Sequence, residues 1–305
     1  MKELRPGDPD YPALLGVVPA PPALWVRGAL ATADALAVAI VGARRATPYG
    51  LAVAERLASE LAARGVTIVS GLARGIDTAA HRGALSAAHR GALSAGGRTV
   101  AVLGCGIDVV YPPENRELAR AIEAQGALVS QFAPGVAALP GHFPARNRTL
   151  AGLALGVVVV EAAQRSGALI TAGFAGDLGR ELFAVPGRIN SDASAGTNRL
   201  IQDGAKLVTC WQDIVSELPE PWRRVVKSPS EVASGVPRPN AESDEGRVLT
   251  LLTPDEPQHI EQLIARGGLD PARAGAALVV LELNGWVRQL TGQRWIVAPG
   301  RARRA

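Results

Sequence analysis

The chain contains few cysteines, few aromatic residues and no long apolar run. Cys105 and Cys210 are its two cysteines among 305 residues, and they form no Cys-x-x-Cys pair. This excludes a disulfide framework and a cysteine-ligated zinc site. The longest apolar runs, such as residues 274–281, are too short to span a bilayer, and the N-terminus has no apolar signal core. We therefore expect a cytoplasmic protein without a membrane segment.

Aromatic residues make up only 4% of the sequence, which leaves few side chains on which nucleobases could stack. The formal net charge is +4, and the basic residues are arginines apart from Lys2, Lys206 and Lys227. Arginine matches the geometry of phosphate oxygens, although a GC-rich genome would produce the same bias. The four histidines do not fall at the spacing of metal ligands. We expect neither a metal nor a cofactor.

Short apolar runs alternate with helical patterns from residue 37 to residue 209. The runs predict strands at residues 37–41, 66–69, 99–103, 127–130, 156–160, 182–185 and 206–209. The helical patterns between them include residues 48–64, a helix capped by Asp77 or Thr78, and residues 114–125. This alternation predicts an α/β fold with a doubly wound parallel sheet.

The regions around this pattern differ in composition. Residues 1–35 are rich in proline and predict an irregular lead-in to the main domain at residues 36–217. Residues 218–244 mix proline, serine and charge, which is typical of a linker. Residues 245–298 carry three helical patterns and a hairpin, which together indicate a winged helix, and residues 299–305 form a basic tail.

In the winged helix, Asp270 followed by Pro271 predicts the start of the third helix. Arg273 is the one obvious base or phosphate reader on that helix, so a DNA-reading role and a structural or protein-contact role both remain open.

The main domain contains a tandem repeat, because residues 80–87 (AHRGALSA) recur at residues 88–95. Eight residues rotate a helix by about 80° beyond two full turns, so both copies cannot face the core. We expect one copy to be extruded or to extend the helix, without a function of its own.

Arginines follow the first two predicted strands, where the carboxyl ends of a parallel sheet form a binding edge. The first loop contains no dinucleotide fingerprint, but its side chains and the positive end of the next helix predict a phosphate site. The predicted residues of this loop are Gly42, Arg44, Arg45 and Thr47. Arg74 and Gly75 extend the same track after the second strand, with an Arg74–Asp77 pair as the alternative.

A second group of candidates flanks the strand at residues 156–160. Before it stand an aromatic residue and a basic, amide-bearing cluster, placed just ahead of an apolar helical run: Phe143, Arg146, Asn147 and Arg148. A basic groove with an aromatic ring is the usual arrangement for single-stranded nucleic acid, although a core position for Phe143 is equally compatible. We expect one arginine to reach phosphate and the other to pair with Glu161 or Asp177. After the strand, a turn leads into a helix starting near Ala168 and adds Ser166, Gly167 and Thr171.

Six blocks of the sequence resemble, in order, those of the DNA-processing protein A family (DprA, also called Smf). They cover about residues 10–218 and read GARRATPYG (42–50), SGLARGIDTAAHRGAL (70–85), VLGCGIDVVYPPENREL (102–118), HFPARNRTLAGLALGVVVVEAAQRSGALITA (142–172), VPGRINS (185–191) and GTNRLIQDGAKLV (196–208). The resemblance implies an extended Rossmann-like domain at residues 36–217 that binds single-stranded DNA, with Gly42–Arg44 as the loop that contacts its backbone. Many members end in a winged helix, and many carry a helical domain ahead of this region, which we expect here to be missing or reduced to a stub.

The resemblance also implies a function. Members of the family are homodimers of the bacterial cytoplasm that bind incoming single strands in natural transformation and load the RecA recombinase onto them. We expect no enzymatic activity. The alternative is a nucleotide-binding or nucleotide-hydrolysing protein similar to phosphoribohydrolases, whose PGGxGTxxE motif is absent from the corresponding EAAQRSGALITA segment.

Overall fold

The computed structural model describes residues 1–87, 97–227, 239–253, 256–284 and 286–297. Its described residues form two compact units, one ending at Val226 and the other beginning at Lys227. No helix in the described ranges is long and apolar enough to cross a membrane.

A nine-stranded sheet forms the centre of the first unit. Its strands are β1 (Lys2–Leu4), β2 (Leu24–Gly28), β3 (Ala37–Val41), β4 (Thr67–Ser70), β5 (Thr99–Leu103), β6 (Ala127–Ser130), β7 (Gly156–Val159), β8 (Glu181–Ala184) and β9 (Lys206–Leu207). They are arranged in the order β1-β2-β6-β5-β4-β3-β7-β8-β9. The strands from β6 to β9 in this order are parallel, whereas β1 and β2 are antiparallel to their neighbours.

Helices cover both faces of this sheet. They are α1 (Ala13–Gly16), α2 (Pro48–Ala62), α3 (Ile76–Ser86), α4 (Arg116–Gln125), α5 (His142–Gly152), α6 (Gly167–Asp177), α7 (Asp192–Gln202), α8 (Trp211–Val215) and α9 (Glu220–Arg223). Along β3, Val38 and Ile40 pack in the cluster that contains α2 and α3, whereas Ala39 and Val41 pack in the cluster that contains α5 and α6. The predicted doubly wound α/β fold is therefore confirmed.

The N-terminal residues are more regular than the sequence indicates. The prediction of an irregular lead-in is wrong for β1 and β2, which extend the sheet at its edge, with Trp25 opposite Ser130. Leu24 and Val26 are buried on one face, but the alternation lasts for only five residues. So short a strand is hard to distinguish from an extended loop before its partner strands are known. The predicted linker also begins later than residue 218, because α9 forms and Trp222 packs against the core.

Two predicted helix starts are wrong. Helix α3 is capped by Gly75, not by Asp77 or Thr78, because the Asp77 carboxylate accepts from the backbone N–H groups of Gly71 and Ala73. The basic cluster at residues 146–148 lies inside α5 and not ahead of a helix. Pro144 is tolerated there because the first turn of a helix needs no backbone donor. The second copy of the tandem repeat, residues 88–95, lies outside the described residues, as does the basic tail.

The second unit has the predicted winged-helix elements. They are α10 (Asp244–Leu251), α11 (Ile260–Gly267), α12 (Pro271–Leu283), β10 (Gln258–His259), β11 (Val287–Leu290) and β12 (Arg294–Val297), with the strands in the antiparallel order β10-β12-β11. Asp270 caps α12 as predicted, its carboxylate accepting from the Arg273 N–H at 2.9 Å. The Arg273 guanidinium makes two hydrogen bonds of 2.8 Å to Asp244. Residues 239–297 contain eight acidic and five basic residues, a net charge of −3.

Candidate nucleic-acid interface

A cleft of about 790 Å³ opens at the carboxyl edge of the sheet, where the loops after β3 and β7 meet the first turns of α5. Nine of the thirteen predicted site residues line it: Gly42, Arg44, Arg45, Phe143, Arg146, Asn147, Ser166, Gly167 and Thr171. Thr47, Arg74, Gly75 and Arg148 are not among its lining residues. Tyr111, Arg165 and Ile170 line the cleft and were not among the predicted site residues.

The loop after β3 presents two exposed arginines to the cleft. Neither Arg44 nor Arg45 forms an ion pair with any described residue. The Arg44 guanidinium lies 4.9 Å from the centre of the Phe143 ring, within the range of a cation–π contact. Gly42 allows Ile76 to pack against the backbone of this loop, because a Cβ atom at position 42 would lie 2.6 Å from the Ile76 Cγ1 atom.

Thr47 makes its hydrogen bonds within the protein and is not among the residues that line this cleft. Its backbone N–H donates to Glu161 Oε2 at 2.8 Å, and its hydroxyl donates to Glu161 Oε1. The same hydroxyl accepts from the Gly50 N–H and so caps α2. Glu161 is only 2% exposed, so its carboxylate occupies the positive end of α2. The predicted contribution of Thr47 and of this helix end to a phosphate site is therefore replaced by an internal contact.

Arg74 and Gly75 have structural partners in two neighbouring loops, after β5 and after β3. Arg74 pairs with the exposed carboxylate of Glu114, so the alternative pairing with Asp77 is wrong. Gly75 has a φ of 75°, and a Cβ atom there would lie 2.2 Å from the Ala43 carbonyl oxygen. Only glycine can therefore bring this loop against the backbone that precedes Arg44.

Arg146 is the buried cation of the site, with 4% exposure. Its Nη1 donates to the carbonyl oxygens of Gly71 and Val102, at 2.5 and 2.6 Å, at the ends of β4 and β5. Its Nε donates to the Asn147 side chain at 3.0 Å. Nη2 has no acceptor among the described residues, although Arg146 lines the cleft. Arg146 therefore anchors α5 to the sheet and keeps one donor group uncommitted.

The buried Asp77 carboxylate provides the opposite charge. Burial raises the pKa of Asp77 above its usual value, and the positive charge of Arg146 opposes that rise. Neither Arg146 nor Arg148 pairs with Glu161 or Asp177 in the described structure, so that prediction is wrong. The Arg148 Nη2 donates to the Pro19 carbonyl at 2.6 Å, which ties α5 to the N-terminal segment.

Phe143 forms an aromatic surface with Tyr111. The two ring centres are 6.0 Å apart and the planes are inclined by 45°. Gly104 lies beneath Phe143, where a Cβ atom would come within 2.8 Å of the ring. Phe143 is half-buried and Tyr111 is exposed. Tyr111 could have been proposed from the sequence, because in a chain with three tyrosines and four phenylalanines each aromatic residue in a loop at this edge is a candidate.

The start of α6 provides an open positive helix end at the cleft. Ser166 caps the helix by accepting from the Ala168 N–H, and Gly167 is exposed with open space around its Cα. Asn147 joins this turn to α5 by donating to the Gly167 carbonyl at 3.4 Å. Thr171 lies one turn further on and is buried. At α2 the Glu161 carboxylate accepts from Thr47, whereas no carboxylate of the described residues hydrogen-bonds to the first turn of α6, so this end can accept an external anion.

Comparison with known proteins gives matches over most of the chain. Residues 2–219 match the model of the family described as DNA recombination-mediator protein A, and residues 232–293 match the DprA winged helix domain. The chain is 38% identical over 299 residues to Protein Smf of Escherichia coli (strain K12), which covers 95% of this chain and 76% of that protein. It is 44% identical over 211 residues to the DNA processing protein DprA of Streptococcus pneumoniae, covering 69% and 72%.

Two solved structures share this fold. The X-ray structure of DNA processing protein A from Streptococcus pneumoniae superposes with a TM-score of 0.66 at 42% identity and covers 72% of this chain and 74% of that chain. The DNA processing protein A of Helicobacter pylori, whose structure describes a single-stranded DNA binding mode, superposes with a TM-score of 0.61 at 30% identity and covers 70% and 94%.

Proposed function

This chain belongs to the DNA recombination-mediator protein A family, and from that premise we propose that it binds single-stranded DNA in the cleft at the carboxyl edge of its sheet. The relative from Helicobacter pylori, which binds single-stranded DNA, supports this ligand. The observation that carries the proposal is the combination of unpaired arginines, an aromatic surface and an open helix end in one cleft. Such a groove holds the backbone by charge and the bases by stacking.

Different side chains of the cleft bind the phosphates and the bases of the strand. Arg45 and Arg165 are exposed and unpaired among the described residues, so they can neutralise backbone phosphates. The start of α6 adds backbone donors for one more phosphate. Phe143 and Tyr111 offer ring surface to bases, and Arg44 lies against that surface while its N–H groups remain available.

Arg146 has a separate role in this arrangement. Its three hydrogen bonds fix the turn of α5 that carries Phe143, which places the ring over Gly104. Arg146 also lines a small pocket of about 20 Å³ together with Arg44 and Arg74. A space of this size holds about one water molecule or one phosphate oxygen. Arg146 thus positions the aromatic surface and completes the floor of the cleft.

We extend the proposal to the biological role that the family implies. The bound strand is presented to the RecA recombinase, the DNA arrives during natural transformation, and the protein works as a homodimer in the cytoplasm. The protein acts by binding and not by catalysis. Incubation with AMP followed by chromatography tests the last point, and measurable hydrolysis would instead support the phosphoribohydrolase-like alternative.

The binding proposal is tested by fluorescence anisotropy with a labelled single strand and the matching duplex across a salt series. We expect the wild type to prefer the single strand, and Arg44→Ala to weaken that binding and to lower the slope of log K against log salt by about 0.7, the value for one phosphate on a single strand. Arg82→Ala is the matched control, because Arg82 is exposed on α3 outside the cleft. Equal losses in Arg44→Ala and Arg82→Ala, or no preference for the single strand, would refute the proposal.

A further inference from the structure

A second cleft, of about 860 Å³, lies at the same edge of the sheet beyond the loop after β3. It is lined by the first residues of α2, by Glu161 and by the loop that joins β8 to α7. Neither the predicted site nor the cleft described above includes Tyr49 or Arg188, which stand at its walls.

The walls of this second cleft are held in place by several contacts. The Tyr49 hydroxyl donates to the Pro186 carbonyl at 3.1 Å, which fixes the ring while 51% of the residue remains exposed. Gly187 and Asn198 exchange two hydrogen bonds of 3.1 Å. A Cβ atom at position 187 would lie 2.0 Å from Ser194 Oγ, so the loop rests directly on α7. The cleft is therefore formed before any ligand binds.

The chemistry of these walls matches that of a single-strand groove. Arg188 is exposed and has no ion-pair partner among the described residues. Ile189, the residue after Arg188, is 99% exposed, an unusual position for a large apolar side chain. Glu161 is the acidic residue among those that line the cleft, and its charge is already bonded by Thr47.

The two clefts are continuous along the chain. Arg45 lines the first and Thr47 lines the second. Two residues span at most about 7 Å of backbone, so the two clefts adjoin on the loop after β3.

We propose that the second cleft holds further nucleotides of the same strand, with Tyr49 stacking on a base and Arg188 contacting a phosphate. This inference rests on the proposed function, because it requires the first cleft to bind single-stranded DNA. The exposed ring and isoleucine could also contact a protein, but the unpaired arginine and the continuity with the first cleft favour the strand.

The test compares oligothymidylates of about 6 and about 20 nucleotides, which bracket the size of common single-strand sites. We expect Tyr49→Ala to weaken binding of the long strand at least about fivefold, as loss of one stacked base does, and to leave the short strand unchanged. Tyr49→Phe keeps the ring and is expected to bind like the wild type. Arg188→Ala is expected to lower the salt slope by about 0.7 for the long strand only, with Arg82→Ala as the charge-matched control.

The outcomes separate this inference from the proposed function. If Tyr49→Ala and Arg188→Ala bind the long strand like the wild type while Arg44→Ala weakens both strands, the second cleft does not bind DNA and the first still does. If Arg44→Ala also has no effect, the proposed function itself is refuted. If the two variants change the sedimentation of the protein without changing its DNA affinity, the surface is a protein contact and the inference is overturned.

Discussion

Replacing Arg146 by methionine tests whether the buried guanidinium holds the floor of the cleft together. Methionine has a similar length and no charge, so the change removes the hydrogen bonds while leaving most of the side-chain volume. The variant leaves the carbonyl groups of Gly71 and Val102 without their donor. It also leaves Asp77 without the charge that opposes the rise of its pKa.

The expected loss of stability is large. Each of the two carbonyls that Arg146 binds costs about 1–3 kcal/mol when it is left unsatisfied. Asp77 forms no direct ion pair with Arg146 in the described structure but loses the favourable effect of its charge, so we expect the free energy of unfolding to fall by about 2–5 kcal/mol at neutral pH. Arg148→Met is the control on the same helix, since Arg148 makes one hydrogen bond, to Pro19, and should cost about 1 kcal/mol.

The loss should depend on pH. Burial raises the pKa of Asp77 in the folded protein, so the folded state binds more protons than the unfolded state between the two pKa values, and stability falls as the pH rises through that window. Without Arg146 the folded pKa rises further and the window widens upward. Protonation of Asp77 therefore relieves more of the cost in the variant, and the difference between Arg146→Met and the wild type should be smaller at about pH 5 than at about pH 8.

Native-state hydrogen exchange of the β4 and β5 amides measures this effect in the first unit independently of the winged helix. A loss near 1 kcal/mol, equal to that of Arg148→Met, would show that the guanidinium is not a structural anchor. A loss of the expected size that does not change between the two pH values would show that Asp77 is not coupled to it.

Two further predictions concern the loops and the winged helix. Gly75→Ala places a Cβ at a φ of 75° and against the Ala43 carbonyl, so we expect it to lower the melting temperature and weaken single-strand binding, whereas Gly173→Ala, in open space on α6, should do neither. Arg273→Ala breaks the exposed pair with Asp244 and should leave DNA affinity unchanged, measured by anisotropy; a tenfold loss would instead assign DNA reading to α12.

The sheet could be predicted from the sequence because its inner strands are buried on both faces. The run AVAIV predicts β3 at its observed bounds, since every residue of it is buried and no polar position interrupts the pattern. Strand β2 has Trp25 and Arg27 on its other face and pairs with β6, about a hundred residues away. Nothing local in its sequence indicates that pairing, because the register of a short strand is set by a partner distant in the chain.

The site was predictable at the level of loops but not of single side chains. The carboxyl ends of parallel strands meet at one edge, which brought nine of the chosen residues into one cleft. Arg146 and Arg148 show which information the sequence pattern lacked, namely the direction in which each side chain points. They are two residues apart on α5, and about 200° of helical rotation turns one toward the sheet and the other toward Pro19. The sequence pattern showed two similar cations and not which one the sheet would bury.

The two helix ends at this edge differ in how open they are to a phosphate of the strand. Both α2 and α6 begin after a strand of the parallel sheet, and from the sequence either start could bind phosphate. In α2, the Glu161 carboxylate already accepts from the backbone and hydroxyl of Thr47, so an added phosphate would meet a like charge at an occupied end. In α6, Gly167 leaves the end open and Arg165 stands beside it unpaired. An internal anion at α2 thus leaves the start of α6 as the helix end that can bind a phosphate, and the arginines of the loop after β3 line the same cleft as that end.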